Sequence, residues 1–278
     1  MPPLANSPDL WRHALPLRAA DDHKYSRGAM LVLSGPEFRT GASRLAAHAA
    51  LQIGAGLVTL VGTPDALREQ AAQVTAIMLR PFETLADFRD CVAGDRLRAI
   101  VMGPAAGIGE ATRRLVTIAA RSSAGLVLDA DALTSFDGDA EALSALLRQR
   151  RVATILTPHE GEFARVFPDL RESREDRVLA ASASLGAVVV LKGHRTLIAA
   201  PDGRLIENHN APPSLATAGS GDVLAGLVGG LLTQGMPGFE AAAAGVWLHG
   251  EIGRMAGAHP TAEDFIVAIR ELPAFEML

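Results

Sequence analysis

A single cysteine, Cys91, stands among the 278 residues, so no disulfide can close within the chain, and no second soft ligand lies near it to share a metal. A reducing compartment fits this usage, and Cys91 reads as a small buried apolar residue. Aromatic residues make up only 4% of the chain. Basic residues form neither a block nor a stripe interleaved with aromatics, and the formal net charge is -5, which together argue against nucleic-acid binding. Long hydrophobic runs are also missing. The longest, VLAGLVGGLL at 223 to 232, is about half of the roughly 20 residues that cross a bilayer, and it reads as a core helix. The opening stretch has no apolar leader segment and carries acids early, so no cleavable signal is expected. The expected setting is therefore the cytoplasm, with no membrane contact.

Lysine is the scarcest charge: of the 26 basic residues, only Lys24 and Lys192 are lysines. A codon bias toward Arg, Ala and Gly explains most of that skew, but not why these two positions escaped it. Lysine is a compact, mobile point charge and arginine a planar fork, so the two survivors are candidates for a task a fork cannot perform.

What the chain does contain is apolar mass, at 49% hydrophobic residues. Short β-branched runs recur at 29–34, 57–62, 75–79, 98–103, 125–130, 153–158 and 187–193, with helical stretches such as 41–56 and 175–186 between them. Runs apolar throughout are buried on both faces, as in a parallel sheet covered by helices. The alternation gives an α/β fold with right-handed crossovers, a central, mostly parallel sheet flanked by helices on both faces. A hairpin at 196–207 turns on Asp202 and Gly203, and two Ala/Gly-rich helices follow at about 219–235 and 238–257. No low-complexity linker, internal repeat or charge block divides the chain. One domain is expected over 1–278, with residues 1–14 as an N-terminal extension.

Such a sheet binds ligands at the carboxyl ends of its strands. The two commonest phosphate loops are absent, because GPEFRTGAS after the first strand matches no G-x-G-x-x-G and neither lysine sits in a Walker A spacing. No G-x-S-x-G elbow supports a serine hydrolase. GSGD at 219–222 opens a helix instead. Gly219 and Gly221 permit close approach, and unpaired amides at a helix start favour an anion. Asp222 in that first turn is, taken alone, more simply an acid complementing the helix dipole. In LTPHEGEF, His159 and Glu162 fall at the same sheet edge, where a helix cap and a functional role are equally open; the spacing lacks a second His for a metal site. Lys192 leaves its strand in LKGHRT. Asp129 and Asp131 in VLDADAL either help hold Mg²⁺ through water or cap a short helix, and capping is the favoured reading.

Taken together and in order, HKYSRGAMLVLSG, RTGASRLAAHAALQIGAGLVTLV, GPAAG, DADAL, TPHEGEFARV, LKGHRT and ATAGSGDVLAGLVGGLLTQG resemble the ADP- or ATP-dependent NAD(P)H-hydrate dehydratases, a branch of the ribokinase-like superfamily. The resemblance runs from about Leu15 to Arg270. It implies a ribokinase-like fold and a hydro-lyase that repairs the S epimer of hydrated NADH or NADPH. The nucleotide phosphorylates the added hydroxyl, and phosphate is then eliminated. By that resemblance Asp222 is the base. The amides of Gly219, Ser220 and Gly221 hold the transferring phosphoryl. Lys192, Gly193, His194, Arg195 and Thr196, with Gly221, contact the AMP portion. Ala42, Gly107, His159 and Asp222 contact the hydrated nicotinamide nucleotide. It also implies Mg²⁺, ADP or ATP as co-substrate with the choice left open, no resident metal ligands, and a separate epimerase acting on the same metabolite. The first 20 or so residues are too few for an epimerase domain. A homo-oligomer is expected, a tetramer favoured, with the Ala-rich helix at 238–257 as a surface for close packing on another subunit.

Two stretches depart from the family pattern. GPAAG replaces G-P-G-L-G, and APPSLATAGSGD replaces G-N-P-G-M-A-T-G-G-S-G-D, so Pro212 and Ala218 make the loop ahead of Asp222 stiffer. The alternative is a ribokinase-like kinase for a vitamin-precursor alcohol, which would share fold, anion site and base. TPHEGE and GSGDVLAG match the dehydratases better. A nucleotide-binding sensor without turnover has no use for Asp222.

Overall fold

A computed structural model describes residues 3–17 and 22–273. Its strands are β1 (Leu4–Ala5), β2 (Ala29–Leu33), β3 (Leu57–Gly62), β4 (Met78–Pro81), β5 (Leu97–Met102), β6 (Gly125–Leu128), β7 (Thr154–Leu156), β8 (Val188–Leu191), β9 (Thr196–Ala199) and β10 (Leu205–Asn208). The helices are α1 (Gly41–Ile53), α2 (Pro64–Ala71), α3 (Leu85–Val92), α4 (Glu110–Ala120), α5 (Ala130–Thr134), α6 (Ala140–Leu147), α7 (Glu160–Val166), α8 (Arg174–Leu185), α9 (Ser220–Thr233), α10 (Gly238–Met255) and α11 (Ala262–Ala268).

All strands join one sheet in the order β1-β10-β9-β8-β7-β6-β5-β2-β3-β4, parallel except that β9 runs against both its neighbours. Successive residues of each central strand feed opposite cores. Met30 and Val32, Ala99 and Val101, Val188 and Val190 face one core; Leu31 and Leu33, Ile100 and Met102, Val189 and Leu191 face the other. That two-sided burial is the physical reason the strands read as unbroken apolar runs.

Chain order reverses between β2 and β5, so the loops leaving these two strands diverge at a switch point, where doubly wound sheets place their ligands. Helix α9 lies across this region, although its glycines make it a poor helix former by propensity. Packing decides instead. A Cβ on Gly226 would come within 2.2 Å of the Ala46 carbonyl oxygen, and one on Gly229 within 2.5 Å of Val101. Only bare backbone lets α9 sit this close to α1 and the sheet.

Three expectations change. The strand expected at 75–79 lies at Met78–Pro81, because pairing with the carboxyl half of β3 sets its register, and Pro81 is tolerated on an edge strand. Residues 3–14 are built into the domain. Leu4 and Ala5 pair with β10, and Trp11 is fully buried, its indole donating to Asn6 Oδ1 at 3.1 Å and lying 5.6 Å from the Trp247 ring. The Ala stripe of α10, expected to meet another subunit, is spent inside this chain: Ala241, Ala242, Ala243 and Ala244 are all core residues.

Candidate active site

Helix α9 begins on a turn that only glycine fits. Gly219 has φ +85°, and a Cβ there would come within 2.7 Å of Leu45 and Ala262. No side chain caps this helix end, so its first amides have no acceptor within the helix. The Ser220 amide is an exception, donating back to the Thr217 carbonyl at 3.3 Å. The Gly219 and Gly221 amides are the better placed of the three expected anion ligands.

Asp222 projects from the same turn into a crowd of charge. Burial first, then the neighbouring carboxylate of Asp129, push its acid up to about 7, against the pull of Lys192. Glu162 and Asp131 add to the rise. Lys192, at the end of β8, reaches under the turn and places Nζ 2.7 Å from Asp129 Oδ1 and 3.9 Å from Glu162 Oε2. Burial opposes its ammonium, but Asp129, Glu162 and Asp222 outweigh that and hold it charged. A Cβ added to Gly221 would lie 3.4 Å from this nitrogen, so ammonium and turn share one small space.

The favoured reading of Asp129 and Asp131 as helix caps is corrected. Asp129 makes no side-chain cap to α5; its Oδ1 receives Lys192 Nζ and, at 2.9 Å, the Thr157 hydroxyl. A long-range partner with a full charge outcompetes the local amides. Asp131 ties two loops together, accepting the Gly107 amide at 2.8 Å and standing 3.8 Å from the Arg39 guanidinium. Of the two roles left open for His159, the structure shows the helix cap. Its Nδ1 accepts the Glu162 amide at 3.1 Å while its own amide donates to Glu162 Oε2 at 2.8 Å, a capping box on α7. With Nδ1 accepting, the ring proton sits on Nε2, 3.2 Å from Glu162 Oε1, and the half-exposed ring still lines the adjoining cleft.

That cleft has a volume of about 600 Å³. His159, Lys192, Gly193, His194 and Thr196 form one wall, the stiff loop from Ala211 to Thr217 another, and Ser220, Gly221, Leu224, Val246 and His249 the floor. The structure thus gathers most of the residues expected around a nucleotide. Arg195 is the exception. It does not line the cleft, because its guanidinium is bound to the buried carboxylate of Glu207. Ala42 lies in the first turn of α1, one turn before Leu45, which packs beside Gly219. Gly107 is joined through Asp131 to the charges around Asp222. The residues with positive φ other than glycine are, among those described, Phe38, Ala105 and Ala130, and each follows β2, β5 or β6 at its carboxyl end. Strain of this kind persists where the surroundings over-determine a functional backbone.

Sequence reasoning passed over Asn208 and His249 in the cleft. The only signal for His249 is a lone imidazole in an otherwise Ala- and Gly-rich helix.

A mostly parallel sheet with helices on both faces, an acid at an uncapped helix turn and a cleft beside it place the protein in the class of α/β folds that bind their ligands at the carboxyl ends of the strands. Within that class the chain belongs to the NAD(P)H-hydrate dehydratase family, whose model matches residues 30–271. It is 40% identical over 245 residues to the ADP-dependent (S)-NAD(P)H-hydrate dehydratase of Neisseria meningitidis, covering 86% of this chain and 80% of that protein. It is 40% identical over 263 residues to the bifunctional NAD(P)H-hydrate repair enzyme Nnr of Gloeobacter violaceus, covering 91% of this chain but only 50% of that protein. The chain therefore spans about half the length of that bifunctional relative. The ADP/ATP-dependent NAD(P)H-hydrate dehydratase of Bacillus subtilis, co-crystallised with ATP and Mg²⁺, superposes with a TM-score of 0.84 at 26% identity, over 98% of both chains.

Proposed function

We propose that this protein uses ADP or ATP to dehydrate the S epimer of hydrated NADH or NADPH, regenerating the reduced cofactor. The observation that carries the reading is Asp222: a partly buried acid with its pKa pushed up to about 7, at the mouth of an uncapped helix and beside the cleft. A base poised near the working pH is what proton removal from an alcohol requires, worth on the order of 10²–10⁴ in rate. In the first step Asp222 takes the proton of the added hydroxyl as the hydroxyl oxygen bonds the terminal phosphorus of the nucleotide, whose terminal phosphoanhydride bond breaks to release AMP from ADP or ADP from ATP. In the second, the carbon–oxygen bond breaks with departure of phosphate, and loss of a proton from the adjacent ring carbon restores the double bond.

The Gly219 and Gly221 amides, with the Lys192 ammonium, face the charge that moves in the first step. Lys192, Gly193, His194 and Thr196 flank the AMP portion, and Arg195 joins them from a position held by its pairing with Glu207. Ala42, Gly107 and His159 receive the hydrated nicotinamide nucleotide. Among the described residues no group of three or more His, Cys, Asp or Glu side chains could hold a metal ion. Mg²⁺ therefore fits as an ion carried on the nucleotide, where it would neutralise phosphate charge, with Asp129 as the carboxylate facing Gly221 that would help hold it through water. Among the described residues no helix is long and apolar enough to cross a membrane. We place the reaction in the cytoplasm, alongside a separate epimerase that supplies the S epimer.

Hydrated NADH mixed with the protein, Mg²⁺ and either ADP or ATP should regain the absorbance of the dihydronicotinamide. No recovery with either nucleotide overturns the reading. Asp222→Asn should fold and bind nucleotide yet lose at least about 10²-fold in kcat. Retained turnover would remove Asp222 from the mechanism.

A further inference from the structure

The turn that must meet the phosphoryl group is built almost wholly of backbone. Gly219 and Gly221 flank Ser220, and glycine gives the close approach a ligand needs at the cost of conformational freedom. A catalytic donor only slightly out of place forfeits much of its effect, so such a turn needs an anchor. Ser220 carries its one short anchorable side chain between the two glycines.

A serine at a helix start ordinarily bonds a nearby amide. Here the Ser220 hydroxyl is buried and meets His249 Nε2 at 3.1 Å, 29 residues away on α10. The imidazole is itself fixed. It is buried in the middle of α10, with the Phe265 ring of α11 packed edge-on at 6.0 Å and 75°. Burial, with Lys192 acting in the same direction, pushes its pKa down to about 4, so it is neutral at working pH and carries one donor and one acceptor nitrogen. Either can engage a hydroxyl. The ring lines the floor of the same cleft as Ser220, Gly221 and Lys192, and the chemistry described above makes no use of it.

We propose that His249 is a positioning residue for phosphoryl transfer: its ring holds the Ser220 hydroxyl, and through it the first turn of α9, against the transferring group. The proposal rests on the function proposed above. A core histidine that merely satisfies its own polar atoms would affect stability alone. A positioning histidine must instead act on kcat, through Ser220 and no other residue.

The test is a double-mutant cycle in the hydrated-NADH recovery assay, with ADP affinity and thermal unfolding measured on every variant. His249→Phe and Ser220→Ala should each lower kcat by about 10- to 100-fold while ADP affinity changes less than about threefold. The double variant should be no slower than the slower single one. His249→Gln, which returns a polar nitrogen or oxygen at similar reach, should recover most of the rate. Unchanged kcat, additive losses, or losses that follow the melting temperature and not the Ser220 contact overturn the proposal. Should His249→Phe fail to fold, His249→Leu takes its place beside Ser220→Ala and His249→Gln: slow Leu and Ala variants with a fast Gln variant support it, and a fast Leu variant or a fast Ala variant overturns it. Wild-type protein that restores no NADH overturns the functional reading and this proposal with it. Wild-type turnover with additive losses overturns this proposal alone.

Discussion

Two cations are taken out of water at opposite edges of the sheet, and the protein treats them differently. At the amino edge, Arg150 donates to Thr154 Oγ1 at 2.8 Å and to the carbonyls of Ala119, Ala120 and Ala124. Its planar fork is used up closing the end of α4 against the start of β6, with no carboxylate among these partners. At the carboxyl edge, Lys192 is a point charge facing Asp129, Glu162 and Asp222. Burial lowers the Arg150 pKa to about 10, which still leaves it charged and inert. Around Lys192 acids outnumber the base, and the imbalance is expressed as acids held above their ordinary range, Asp222 at about 7 and Glu162 raised by burial. The first arrangement is satisfied by backbone and complete. The second stores an electrostatic cost in the place where the proposed reaction takes up a proton.

The largest effect that can break this comparison is on stability at high pH. Asp222 has a folded pKa near 7 against an ordinary value of 3.8, so folding favours its protonated form. Its contribution is fully present below about pH 4 and is lost as pH rises through 7. Asp222→Asn mimics the protonated acid. It should therefore be more stable than wild type by about 2–4 kcal/mol at pH 8, with the advantage shrinking below pH 7 and gone by about pH 4. Denaturant melts at both pH values check it. Equal stability at pH 8 would mean the site stores no such cost.

Next in size is the opposite experiment at the other edge. Arg150→Met should cost about 2–3 kcal/mol of stability, because it strips donors from partly buried carbonyls. The folded variant should keep its kcat and ADP affinity within about twofold, as measured by denaturation and by the recovery assay. A loss of activity without loss of stability would erase the distinction between a structural and a functional cation.

Sequence alone showed the second of these sites more readily than it showed how that site works. The central strands and α1, α8, α9 and α10 were legible because their apolar periodicity reports local burial. The turn at Gly219–Asp222 and the order of the motifs were legible too, through the family resemblance. Register at the β4 edge was not, since it depends on the strand beside it. The partnership of Asp129 with Lys192 spans 63 residues, and no local rule could prefer it over a helix cap. The same holds for the pairing of Arg195 with Glu207 on a neighbouring strand, which LKGHRT does not announce. His249 left no periodic trace, because a lone polar residue on a buried helix does not say what it faces.

The smallest expected effect probes why one of only two lysines sits here. Lys192 offers a single compact ammonium between Asp129 and Glu162, with only a fifth of its side chain exposed (19%) and the Gly221 backbone close above. An arginine in its place keeps the charge but must fit a planar group with five donors where there is room for one nitrogen. Lys192→Arg should then pair with the carboxylates only by displacing the turn. ADP affinity should weaken by about tenfold, or about 1.4 kcal/mol, with a smaller change in melting temperature. Calorimetric titration with ADP decides it. If affinity is unchanged, the space beneath Gly221 tolerates the fork, and the contrast with Arg150 lies in the surrounding acids and not in the shape of the cation.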